Sequence, residues 1–393
     1  MKAEHIRRLR AISETFYGDY LRDLRTIVDM DSGTYLLSGV NQVADFMVSK
    51  FETAGWVVER HRHLSSSGQA EIGDLLIARI QGRRPAAQGG QRVLLIGHMD
   101  TVFPEGTAKE RPFKIEGNRA LGPGVSDMKD GLLAGLYAVA CLRQANLMDF
   151  DSVTYICNPD EEIGSPFSKS FIKERAGRAD MCFVLESARE DGAVVSARKG
   201  VAQLRIVIHG RAAHAGVEPE RGRSAILQAA HSTVGLHKLN GRWPDVTVNV
   251  GAIQGGTRAN VVAEKCELMV DVRASTVAAL GQALDEVGRL ANDVVIPDMA
   301  IDVESMAEVP PMEKTEATAR LLDTAKQIAS ALGFELNDVA SGGASDANTA
   351  APLCATLDGL GPIGGDDHSP TEWLDLTSVV PRITLLAGLI GLV

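Results

Sequence analysis

The segment Arg92-Val-Leu-Leu-Ile-Gly97 is an almost unbroken apolar run that leads straight into His98-Met-Asp100-Thr101. A short apolar run of this kind reads as a strand buried on both faces, as in a parallel sheet covered by helices. Its last residues carry chemistry. His98 and Asp100 are two apart, so on extended backbone they point to the same side. One can bind a metal while the other accepts the second N–H of the imidazole, which fixes the ring tautomer.

Working outward, Asp74-Leu-Leu-Ile-Ala-Arg-Ile80, Val153 to Cys157 and Met181 to Leu185 read as further strands. Helical spacing runs over residues 4–29 (Ile6, Leu9, Ile12, Phe16, Leu21, Leu24), Val43 to Ala54 and Met128 to Gln144, with a turn at Gly82 to Gly90. Strands alternating with helices predict an α/β fold with a mostly parallel sheet. Near residue 198 the pattern changes. Gln203 to His209 and Val246 to Ile253 alternate, Val261 to Val272 is a third candidate strand, and helices fall at Ser224 to Leu239 and Val277 to Asn292. This predicts an inserted ferredoxin-like α+β domain at 198–312, with an antiparallel sheet covered on one side. Helical spacing resumes at Ala317 to Leu332, so 1–197 and 313–393 form one domain around the insert. A chain of 393 residues has outgrown a single core, which agrees with two domains.

Composition narrows the function classes. Hydrophobic residues make up 45% and charged residues 23%, ordinary for a globular chain. The formal charge of −11 argues against nucleic acid as a partner. Five cysteines, none in a CxxC pair, read as buried small side chains in a reducing, cytoplasmic setting. Met1 to Arg10 lacks the apolar run of a secretory signal. Ile383 to Val393 is too short to span a bilayer and reads as a core-facing helix.

Four segments place metal-type ligands just after buried strands or at a helix start. They are Gly97-His98-Met-Asp100, Gly122-Pro-Gly-Val-Ser-Asp127, Asn158-Pro-Asp160-Glu161-Glu162-Ile-Gly164 and Leu185-Glu186-Ser187. Each has a bland reading alone: a satisfied histidine, an N-capping aspartate, a solvated acidic turn. Glu186 is harder to dismiss, because ionised carboxylates are rarely buried unpaired. Open α/β sheets bind ligands at the carboxyl ends of their strands, so the four segments together predict one crevice. A serine hydrolase is disfavoured, since no Gly-x-Ser-x-Gly elbow occurs.

These motifs, GHMDTVF (97–103), GPGVSDMKDG (122–131), DEEIGS (160–165) and LES (185–187), followed by RAAHAG (211–216) and GGDDHSP (364–370), resemble the M20 metallopeptidases. That family includes glutamate carboxypeptidase, acetylornithine deacetylase and succinyl-diaminopimelate desuccinylase. The resemblance implies two zinc ions, with Co²⁺ or Mn²⁺ able to substitute. Asp127 bridges them, His98 and Glu186 complete one site, and Glu162 and His368 complete the other. It also implies a cis Asp127–Met128 peptide and Glu161 as general base, with Asp100 supporting His98. Further, it implies that His214 stabilises the oxyanion across a homodimer, that Asn260 and Arg273 hold the substrate carboxylate, and that Ser341 to Asp346 is a substrate loop. Ala263 stands where relatives often carry proline. The implied reaction is hydrolysis of an amide in a small peptide or N-acyl amino acid. Release of a C-terminal amino acid, as by a glutamate carboxypeptidase, is the leading reading; N-acyl-amino-acid deacylation is the alternative. A binding protein without catalysis is disfavoured, because base and ligands are all present.

Overall fold

The computed structural model describes residues 3–64 and 71–392. Met1, Lys2 and Val393, the ends of the terminal segments read above, lie outside the described residues. The chain divides into two compact units, one of Met1–Ser196, Lys314–Ala340 and Ser345–Val393, the other of Ala197–Glu313 with Ser341–Ala344.

The first unit is built on a six-stranded sheet in the order Val57–His61, Leu75–Gln81, Ser152–Asn158, Arg92–His98, Met181–Val184, Ala355–Leu357. The first two pairings are antiparallel and the last three parallel. Leu94, Leu95 and Ile96 are all fully buried, as the apolar run requires of a strand covered on both faces. From Arg92–His98 the chain passes through the Lys129–Gln144 helix to Ser152–Asn158 on one side. It then passes through Lys169–Ala176 to Met181–Val184 on the other. Arg92–His98 is therefore the strand about which the order reverses, and a crevice opens beyond its carboxyl end.

The helices Ala3–Val28, Lys129–Gln144, Glu316–Leu332 and Val379–Leu392 share one apolar core with the sheet through residues such as Leu24, Leu133, Ile328 and Leu386. The Leu37–Thr53 helix starts six residues before the Val43 expected from spacing, since Ser38, Gly39 and Asn41 mask its first turn in the sequence. A small sheet of Gly364–Gly365, Trp373–Asp375, Arg119–Leu121 and Lys114–Glu116 is formed by strands of two or three residues, too short for a periodic signal.

The second unit is a four-stranded antiparallel sheet, ordered Thr247–Gly255, Lys265–Ala274, Gly200–His209, Ala300–Val309. The helices Ala225–His237 and Val277–Ala291 cover one face and bury Leu204, Ile206, Leu268, Val270 and Val287 with it. The strand expected from Val261 begins instead at Lys265, because Val261 forms a separate bridge with His214 and Val262 N–H donates to Ala213. The Ala300–Val309 edge strand was missed: Ile301 and Val303 alternate with Asp302 and Glu304, but the pairing register shifts between Ser305 and Ala307, so the pattern breaks off after four residues.

Candidate metal centre

Three consecutive parallel strands deliver the acidic and imidazole groups. His98 is the last residue of the central strand, Asp160 to Glu162 follow its neighbour on one side, and Glu186 follows its neighbour on the other. The Lys129–Gln144 helix presses its first turn on the same place. A Cβ on Gly131 would lie 1.9 Å from the Leu185 carbonyl oxygen, so only glycine lets the helix approach the strand that leads to Glu186. The residue pair before that helix, Asp127–Met128, is joined by a cis peptide.

Asp127 stands between two imidazoles. Its Oδ1 lies 3.0 Å from His98 Nε2 and its Oδ2 3.1 Å from His368 Nε2. His98 Nε2 is also 3.7 Å from Glu186 Oε1, and His368 Nε2 is 3.2 Å from Glu162 Oε2. His98, Asp127 and Glu162 offer ligand atoms within 4.8 Å of one another, and so do His98, Glu161 and Glu186. Glu161 thus enters the same cluster as the five expected ligands.

Asp100 is fully buried and binds three neighbours at once. Its carboxylate accepts the N–H groups of Glu161 and Glu162, both at 3.2 Å, and the Thr34 hydroxyl at 2.7 Å. His98 Nδ1 lies 2.9 Å from the Asp100 backbone oxygen and 3.4 Å from its carboxylate. The second ring nitrogen is thereby occupied, leaving Nε2 for the cluster.

Two anchors hold this centre that sequence reasoning missed. Glu372, 1% exposed, accepts the backbone N–H groups of Gly124, Ser126 and Asp127 at 2.8–2.9 Å. Burial pushes its carboxyl up to about 7 against those three bonds. Asn158 donates to Ser165 at 2.9 Å and to Asp346, and accepts from Asp160 N–H at 2.9 Å, pinning the acidic turn. Asn158 opens the acidic segment read from the sequence but was given no role there; Glu372 belongs to no motif, and its sole hint is a glutamate four residues past His368.

The electrostatics are those of a site made for cations. Burial opposes a charged His98, yet Asp100, Asp127 and Glu186 outweigh it and hold the ring well above its ordinary pKa. Hydrogen bonds to Asp127 and Glu162 raise His368 to about 11. Burial and neighbouring acids push Glu161 well up, with His98 opposing. Asp127 is driven down by both imidazoles in spite of its burial. Carboxylates and imidazoles that draw positive charge this strongly match the oxygen and nitrogen donors that divalent zinc takes.

In the second unit, His214 and Asn260 sit together on exposed loops: His214 bridges Val261, and Ala215 N–H donates to the Asn260 carbonyl at 3.0 Å. Arg273 is elsewhere, near the far end of the Lys265–Ala274 strand. Its Nε donates to Asp271 at 2.9 Å and its Nη1 to the Gly342 carbonyl at 2.9 Å.

An α/β unit with this cluster at its strand ends, joined to an antiparallel α+β unit, has the architecture of a metal-dependent hydrolase. Residues 94–391 match the model of peptidase family M20/M25/M40, and the chain belongs to that family. It is 27% identical over 376 residues to carboxypeptidase G2 of Pseudomonas sp. (strain RS-16), covering 94% of this chain and 88% of the relative. It is 30% identical over 325 residues to acetylornithine deacetylase of Edwardsiella ictaluri, covering 77% and 80%. The fold superposes on the aminopeptidase PepT of Bacillus cereus with a TM-score of 0.78 at 23% identity, over 95% of this chain and 98% of that one. The chain is thus a hydrolase of the M20 type, a family that works with divalent metal. Among the described residues no helix is long and apolar enough to cross a membrane.

Proposed function

We propose that this enzyme is a two-zinc exopeptidase that cleaves an amide bond and releases a C-terminal amino acid. The observation that carries the reading is the position of Asp127, each oxygen within 3.1 Å of a different imidazole, with Glu161 beside them. In this reading His98, Asp127, Glu162, Glu186 and His368 hold the metal ions. Bound zinc supplies Lewis acidity and lowers the pKa of water toward ~7. Glu161 takes a proton from the attacking water and returns it to the leaving amine. Asp100 keeps His98 in one tautomer and holds the Glu161–Glu162 turn against the cluster.

Arg273 and Asn260 would hold the substrate carboxylate, and His214 would stabilise the oxyanion. From Lys265 to Arg273 is eight residue steps, roughly 26 Å at ~3.3 Å per step. Asn260 and His214 lie beyond the Lys265 end. One small substrate could not touch Arg273 and His214 of the same copy, which supports a homodimer in which His214 and Asn260 serve the partner. Thr247–Gly255 is an edge strand, and Leu227 and Val234, seven apart on the helix beside it, are 52% and 56% exposed. These are features of a surface for a second copy. The free cysteines, four of five buried, support a reducing, cytoplasmic setting.

The likeness to acetylornithine deacetylase supports the alternative, N-acyl-amino-acid deacylation. The test is metal analysis of the pure protein with a panel of dipeptides and N-acyl amino acids, on wild type and Glu161→Gln. The expected result is two zinc ions per chain in both proteins, with turnover abolished in the variant. Metal lost together with turnover would make Glu161 a ligand and refute its role as base.

A further inference from the structure

Beside the metal centre, and wholly within the first unit, lies a cavity of about 490 Å³. Tyr35, Leu36, Val102, Phe103, Pro104 and Ile163 give it an apolar lining, and Glu162 forms the wall it shares with the centre. Tyr35, Val102 and Ile163 are 74%, 43% and 38% exposed, so three large apolar side chains stand open to whatever enters. Among its described lining residues there is no lysine, arginine or histidine; the charged groups are Glu105 and Glu162.

The cavity keeps a fixed register with the centre. Its walls are the loops at 33–36, 101–105 and 162–163. Asp100 ties together the segments that carry them, accepting from Thr34 on the first and from Glu161 and Glu162 on the third, and itself preceding the second. Thr34 N–H donates to Thr101 and Thr101 N–H to Ser32, zipping the first two loops side by side. A Cβ on Gly33 would lie 2.4 Å from the Phe103 carbonyl oxygen, so glycine sets how closely they approach.

We infer that this cavity is the subsite for the acyl side of the scissile amide and that it selects a bulky, uncharged apolar group, aromatic or branched. The inference rests on the proposed hydrolysis and sharpens it. A volume of about 490 Å³ lies in the range of sites that enclose drug-sized groups and far exceeds what an acetyl group fills. Glu105 repels a succinyl carboxylate, and no lysine, arginine or histidine among the described lining residues offers it a partner. The free carboxylate of the substrate therefore belongs on the other side of the bond, and the acyl side is left to the apolar walls.

The experiment compares kcat/KM of the zinc-loaded enzyme for N-benzoyl, N-acetyl and N-succinyl derivatives of one amino acid. The benzoyl derivative should lead acetyl by about tenfold or more, with succinyl last. Tyr35→Ala and Ile163→Ser, both at exposed positions, should each shrink the benzoyl-to-acetyl ratio. An acetyl or succinyl rate equal to the benzoyl rate, or a ratio that both substitutions leave unchanged, overturns the inference. Calorimetric titration of the Glu161→Gln enzyme with N-benzoylglycine and N-acetylglycine reads the cavity without turnover. A benzoyl preference erased by Ile163→Ser supports it, and equal affinities refute it. If no amide is cleaved, the proposed hydrolysis fails while the titration still decides the subsite.

Discussion

The Glu372 carboxylate accepts the backbone N–H of Asp127 at 2.9 Å, from a position 245 residues further along the chain. The same carboxylate takes the N–H groups of Gly124 and Ser126, so one buried side chain closes the loop that presents Asp127 between its two histidines. Glu372→Ala would leave three buried donors unpaired and free that loop. Partners of metal ligands typically contribute 10–100-fold in metal affinity, so a loss of about that size is expected in competition titration against a chromophoric chelator. Glu372→Gln keeps an acceptor oxygen for Ser126 and Asp127 and should lose distinctly less. Equal affinities in wild type and Glu372→Ala would show that the loop holds its shape without the glutamate.

Asp100 joins more of the centre than any other single side chain described above. Removing its carboxylate strands two backbone N–H groups and the Thr34 hydroxyl, while His98 Nδ1 keeps the Asp100 backbone oxygen at 2.9 Å. Asp100→Ala should lower kcat by about 10²-fold or more, since the Glu161–Glu162 turn loses its seat. It should also destabilise the fold by about 2–4 kcal/mol from unsatisfied buried groups. Thr34→Val removes one bond only and should cost about 1 kcal/mol. Paired urea titrations and steady-state kinetics separate the two effects. An Asp100→Ala enzyme with wild-type kcat would remove Asp100 from the machinery.

Much of the centre was legible because buried parallel strands write themselves as apolar runs, with chemistry at their carboxyl ends. His98, Glu162 and Glu186 follow such runs, and the topology of alternating strands and helices brings those ends together. Asp127 was legible as the end of a glycine- and proline-rich loop at a helix start, while His368, which ends no strand and starts no helix, depended on motif resemblance. Glu372 was out of reach. It sits before Trp373–Asp375, whose pairing with Arg119–Leu121 spans some 250 residues and leaves no local pattern. The apolar cavity was equally hidden, because Tyr35, Val102 and Ile163 come from three loops that share no period. The Ala300–Val309 strand failed for a third reason: its alternation, Ile301 to Glu304, is cut short by the register shift between Ser305 and Ala307.

A stability prediction away from the centre concerns Asp338. Its carboxylate accepts Lys314 Nζ and Ser196 Oγ at 2.6 Å and Lys326 Nζ at 3.2 Å. Burial works against its charge, but these three bonds prevail and hold it at about 2 instead of the usual 3.8. A depressed carboxylate stabilises the fold above the ordinary value and loses that contribution as pH falls through the folded one. Asp338→Asn should therefore lower stability at neutral pH by about 1–2 kcal/mol, discounted for the half-exposed lysines. The gap should close between about pH 4 and pH 2. Urea midpoints of chelator-treated wild type and variant across that range give the answer. A gap that persists at pH 2 would assign the effect to packing.

The distance between Arg273 and His214 in one chain leads to a prediction of subunit sharing. Take two inactive proteins, Glu161→Gln and His214→Ala, and let their subunits exchange. If His214 acts across a twofold interface, the hybrid holds one site with an intact Glu161 from one copy and an intact His214 from the other. Its second site carries both lesions. Random exchange makes half the dimers hybrid, each with one working site, so about a quarter of wild-type activity should return. If His214 serves its own chain, every site in every dimer carries at least one lesion and nothing returns. Exchange is followed independently with two affinity tags, so a silent mixture containing doubly tagged dimers would refute sharing. A gradual rise to the expected fraction, in step with tag exchange, would establish it.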